Sequence, residues 1–73
     1  MAEERAEISG IAFRKTPKRM LFDDGETLVY IQRNKTDDIE NERSQRIDFD
    51  DIQDGDEITL TVPYSFAYDK GLI

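Results

Sequence analysis

The chain has no cysteine and no histidine. Without cysteine, disulfides and thiolate metal sites are excluded. Without histidine, the commonest transition-metal ligand and the commonest general base are missing. No apolar run approaches the ~20 residues that a membrane span needs, and no apolar signal region follows Met1. These absences point to an intracellular, cytoplasmic protein with no membrane partner. Asn34-Lys35-Thr36 matches a glycosylation sequon, which has no meaning in a protein that is not secreted.

At 73 residues the chain makes one domain with a modest core. A core of that size supplies roughly 3–5 kcal/mol of net stability. Self-association is the staple left once disulfides and thiolate metal sites are gone. The formal charge is −7, which disfavours non-specific binding to nucleic acid or anionic lipid and favours solubility. Residues 1–6 are polar and terminal, so fraying is expected there. The domain is expected over 7–73.

Alternation and turn chemistry predict strands at 8–15, 20–22, 27–33, 46–49 and 57–62. Ile58, Leu60 and Val62 alternate with Thr59 and Thr61, the pattern of a strand with one buried face. Ile11 and Phe13 share a face, and Gly10 just before them signals a bulge or a close backbone approach. Pro17 fixes a turn at 16–19. Asp23-Asp24-Gly25-Glu26 closes a hairpin. A two-residue loop would set Asp23 against Glu26, so a three-residue loop with a left-handed Gly25 is expected. Leu28-Val29-Tyr30-Ile31 is apolar on both faces, which reads as a central strand covered on two sides. Residues 34–45 hold one large apolar side chain, Ile39, and read as a mobile loop. Asp50–Gln53 reads as a helical turn that tucks Ile52 inward. Tyr64, Phe66 and Tyr68 at spacing two read as an extended segment with one aromatic face. The expected class is mainly β: a small five-stranded barrel or strongly bent antiparallel sheet, SH3-like or OB-like in size.

No catalytic grouping can be assembled, and a non-enzymatic protein is expected, with no cofactor. Ser9, Ser44 and Ser65 have no histidine to activate them, and the four glycines form no phosphate-cradling loop. The acidic run 48–57 invites a calcium reading. With Gly55 at the sixth position of a calcium loop, Ile52 falls at the third and Thr61 at the twelfth, where carboxylates belong. The run therefore reads as a solvated turn.

Two clusters are candidates for binding. Tyr64, Phe66, Tyr68, Leu72 and Ile73 give the C-terminal segment an apolar character suited to a protein partner or to self-association as a homo-oligomer. Arg14, Lys15, Lys18 and Arg19 form the positive patch. Residues 1–19 carry five basic side chains against three acidic ones, and residues 20–73 carry five against fourteen. Phosphate contact to nucleic acid is the alternative function this patch suggests. An acidic nucleic-acid-mimic inhibitor is the other. The leading expectation is a small β module that works through protein–protein contacts.

Overall fold

The computed structural model describes residues 4–73. Five strands precede one short helix: β1 (Arg5–Phe13), β2 (Arg19–Asp23), β3 (Leu28–Gln32), β4 (Asp37–Asn41), β5 (Glu57–Pro63) and α1 (Tyr64–Asp69). All five strands join one sheet in the order β3-β2-β1-β5-β4, antiparallel at every step. β3 and β4 are its two edges, so the sheet is strongly bent but not closed into a barrel.

β5 follows its alternation. Ile58, Leu60 and Val62 are buried, while Thr59 and Thr61 face outward. β1 pairs with it from Arg5↔Pro63 to Ile11↔Glu57. The strand thus begins two residues before the expected domain start at residue 7, and the expected fraying at 1–6 does not extend to Arg5 or Ala6. Residues 1–3 lie outside the described residues. Gly10 is a close approach. A Cβ there would sit 2.3 Å from the Asp23 carbonyl oxygen and 2.8 Å from Cζ of Phe22. β1 turns Ile8 and Ala12 into the core and so places Ile11 and Phe13 on the outer face. It stops at Phe13, because Arg14 takes a left-handed conformation with φ 47°.

The β2–β3 loop is longer than expected. Asp23 pairs with Leu28, leaving Asp24-Gly25-Glu26-Thr27 as a four-residue loop. Its acids serve as turn caps. The Asp24 carboxylate accepts from the amides of Glu26 and Thr27 at 2.9 and 2.7 Å, and Asp23 accepts from that of Gly25 at 2.8 Å. Gly25 is left-handed as expected, at φ 101°. β3 itself corrects a second expectation. It is an edge strand, not a central one, and only its Val29 and Ile31 face inward.

Residues 34–45 are not a mobile loop. A 3-10 turn at Arg33–Lys35 leads into β4, whose Ile39 is buried. The strand was hidden by a β-bulge. Asp37 stands opposite Thr61 and Glu40 opposite Thr59, so one extra residue, Asp38 at φ 48°, resets the alternation and turns Ile39 inward. The expected strand at 46–49 is also absent. Arg46 makes an isolated bridge to Glu40, and Phe49–Asp51 is a 3-10 turn capped reciprocally by Asp48 and Asp51. That turn buries Phe49 and leads to the buried Ile52.

The segment after Pro63 is helical rather than extended. Its end is a Schellman cap. The Leu72 amide donates to the Ala67 carbonyl at 2.8 Å, and that of the left-handed Gly71 donates to Tyr68 at 3.2 Å. The cap folds Leu72 back beside the fully buried Ala67.

Gly10→Ala should lower the stability of the chain by about 1–3 kcal/mol, since the β2 backbone must yield to the new methyl. Ile39→Ala should cost about 2–5 kcal/mol, as for any buried isoleucine; a mobile loop would show almost no effect. Urea titrations of both variants measure these losses.

Candidate protein interface

Strand register decides which side chains share the outer face. Phe13 pairs with Leu21, and Leu21 with Tyr30; in the next row Ile11 pairs with Asp23, and Asp23 with Leu28. All six point away from the core. They form an apolar surface across β1, β2 and β3, interrupted by Asp23 alone. Phe13 is 36% exposed, Tyr30 40% and Leu28 60%, whereas Ile11 and Leu21 are half-buried. The Arg19 guanidinium lies 4.2 Å from the centroid of the Tyr30 ring, a cation–π contact that borders the patch.

The other half of the outer face, on β5, β4 and the start of β1, is polar. Ser9 and Thr59 share a hydroxyl hydrogen bond of 2.8 Å. Beside them runs an open groove of 390 Å³ lined by Glu40, Asn41, Glu42 and Glu57 among others. Among the described residues no three His, Cys, Asp or Glu side chains are placed to hold a metal ion. The run 48–57 shows why. Asp48 and Asp51 cap the 3-10 turn. Asp50 takes a two-pronged contact from Arg33 at 2.5 and 3.0 Å. Asp54 accepts from the Lys15 amide at 2.8 Å, and Asp56 from that of Gln53 at 2.9 Å. These carboxylates are spent on backbone and arginine partners.

The two sequence-derived clusters fare differently. The C-terminal set divides. Leu72 is buried, and Phe66 is half-buried against the core. Tyr64 and Tyr68 are exposed at 43% and 68% and stack one helical turn apart, ring centroids 6.4 Å apart. Ile73 is exposed. In the basic turn, Thr16 Oγ1 accepts from the amides of Lys18 and Arg19. Lys15 Nζ lies 4.4 Å from the centroid of the buried Phe49 ring, and Arg19 covers Tyr30. Arg14 and Lys18 are exposed.

The outer-face residues Leu21, Leu28 and Tyr30 were missed as a surface. Their signal was present in the two apolar faces of Leu28–Ile31, a pattern that equally describes an edge strand with one face left for a partner. Among the described residues no helix is long and apolar enough to cross a membrane. No protein-family model, characterised protein or solved structure matches the chain.

The Arg33–Asp50 pair predicts a pH signature. The Arg33 hydrogen bond and charge hold the Asp50 carboxyl below its ordinary value of 3.8, with a smaller contribution from Lys15. A depressed folded-state pKa contributes stability that is present above the unfolded value and lost as pH falls through the folded one. Wild type should therefore be more stable than Asp50→Asn near neutral pH. The difference should shrink as pH falls below the ordinary carboxylate value of 3.8 and go on shrinking as the folded carboxyl takes up its proton, as urea midpoints across the acid range would register.

Proposed function

We propose that this chain is a non-enzymatic binding module that acts through protein–protein contact, with the outer face of β1–β3 as its contact surface. The supporting observation is the row Phe13–Leu21–Tyr30 with Leu28 beside it, solvent-facing on a rigid sheet. Aromatic side chains with an arginine at their border are the residue types that dominate interface energetics. Large apolar side chains gathered on one face, in a chain otherwise rich in charge, mark a surface that water wets poorly. The stacked Tyr64 and Tyr68 on α1 are a second exposed aromatic feature, on a separate element.

A photo-crosslinking amino acid placed at Leu28 should capture a protein partner in cells of the source organism, and one placed at Glu42 should not. Leu28→Ser should reduce capture from a probe at Phe13 several-fold. The same change should leave the stability within about 0.5 kcal/mol, since the site is largely exposed. Equal capture at Leu28 and Glu42, or capture confined to probes at Tyr64 and Tyr68, would overturn this assignment. Binding to random DNA that weakens with salt and is lost in Lys18→Glu/Arg19→Glu would favour the nucleic-acid reading instead.

A further inference from the structure

The two edges of the sheet are built differently. β4 carries Asp37, Asp38 and Glu40, is kinked by the Asp38 bulge, and is bridged by the returning chain at Arg46. Edge charges, a bulge and a covering segment are the devices that stop one sheet from pairing with another. Among the described residues β3 pairs only with β2 and has none of them. Leu28-Val29-Tyr30-Ile31-Gln32 contains no charge, no proline and no bulge. Its pairing with β2 is flanked by amide bonds from Arg33 to the Lys18 carbonyl at 2.8 Å and from Asp24 to the Thr27 carbonyl at 3.2 Å. In an antiparallel ladder the hydrogen-bonded pairs alternate. Val29 and Ile31 therefore bond to β2, and the amides and carbonyls of Leu28, Tyr30 and Gln32 face the open side.

The charge around β3 is polar along its length. Asp23, Asp24 and Glu26 gather at its beginning. Lys18, Arg19, Arg33 and Lys35 gather at its end, where Asp50 offsets Arg33 alone. An antiparallel neighbour of the same sequence would lay each acidic end on the other's basic end. A parallel neighbour would oppose like charges. In a chain of net charge −7, most surfaces repel a second copy, and this edge is self-complementary.

We propose that the occupant of the β3 edge is a second copy of this chain, joined by antiparallel β3–β3 pairing about a two-fold axis through Tyr30. This rests on the binding reading above and adds to its outer face a contact along the edge of β3. In that register Tyr30 meets Tyr30 and Leu28 meets Gln32, so every outward amide and carbonyl of the strand finds a mate. A slip by two residues would leave some unmet. The outer apolar rows of the two copies then run on across the axis, Tyr30 beside Tyr30. One strand pair with its flanking side chains buries on the order of 1,000 Å², the lower end for a specific interface, so a concentration-dependent dimer is expected.

Sedimentation equilibrium of the full chain at low salt, from micromolar to millimolar, should give a monomer–dimer equilibrium that weakens as salt is added. Glu26→Lys alone and Lys35→Glu alone should each raise the dissociation constant by about tenfold, and the double reversal should restore it. Amide hydrogen exchange on the wild-type chain gives a second readout. Leu28, Tyr30 and Gln32 should exchange fast in the monomer and become protected in the dimer, while Val29 and Ile31 stay protected in both. A chain monomeric throughout, or a dimer in which those three amides exchange as before, would overturn the proposal. If the dimer is absent but the probe at Leu28 still captures another protein, the self-pairing falls and the binding reading stands. If both are absent, both fall.

Discussion

The long antiparallel pairing of β1 with β5 is the contact on which the other elements depend. It joins Arg5–Ile11 to Glu57–Pro63 at the middle of the sheet, with the β2–β3 hairpin on one side and β4 on the other. Its inward residues Ile8, Ile58, Leu60 and Val62 supply the centre of the core. The pairing also extends past both strand ends. The Tyr64 amide donates to the Glu4 carbonyl at 2.9 Å, which launches α1 from the sheet. At the opposite end the Gly55 amide donates to Ala12 at 2.7 Å and the Ala12 amide to Asp56 at 3.0 Å. That clip draws the acidic turn against the basic turn, where Lys15 and Arg33 meet Asp54, Asp50 and Phe49. There the Arg33 guanidinium and the Asp50 carboxylate, far apart in sequence, are spent on each other.

Strands were legible where one physical rule acted alone. β5 shows unbroken alternation between turn residues, and its inward and outward positions follow directly. Gly10 announced a close approach because the neighbouring strand leaves no space for a Cβ. Elsewhere two rules competed. In β4 the bulge at Asp38 breaks the period of two, so a strand with one apolar residue resembled a loop. In the last ten residues the period-two spacing of Tyr64, Phe66 and Tyr68 masked a helix. The stronger signal was Gly71 followed by Leu72, the left-handed cap and its returning apolar side chain. In β3 a strand apolar on both faces has two physical solutions, burial in the middle of the sheet or an edge with an apolar outer face. Local sequence cannot choose between them, because strand order is set by the distant β1–β5 pairing.

The apolar and polar halves of the outer face trace back to the same register. Pairing places Phe13 and Ile11, at the end of β1, in line with Leu21 and Leu28, while Ser9 and Glu7 line up with Thr59 and Thr61. One strand thus contributes its second half to the apolar surface and its first half to the polar one. The basic side chains near the patch are partly committed, Arg19 to the face of Tyr30 and Lys15 to that of Phe49. Of the two rings only Tyr30 lies on the outer face, where the guanidinium brings charge to the border of the apolar rows; Phe49 is buried in the core.

The central position of β1 and β5 also shapes how the chain assembles. The middle pairing of the sheet links residues separated by almost the full length of the protein. A chain emerging from a ribosome can form the β2–β3 hairpin early, but β1 lacks its second neighbour until β5 has been synthesised. Closing so long a loop before the central contacts can form slows folding relative to helical domains of equal size. During that interval Leu28–Gln32, uncharged and strongly β-forming, is exposed on both faces as well as along its edge. The nascent hairpin is therefore the stage at which crowding of several copies on one message would matter most.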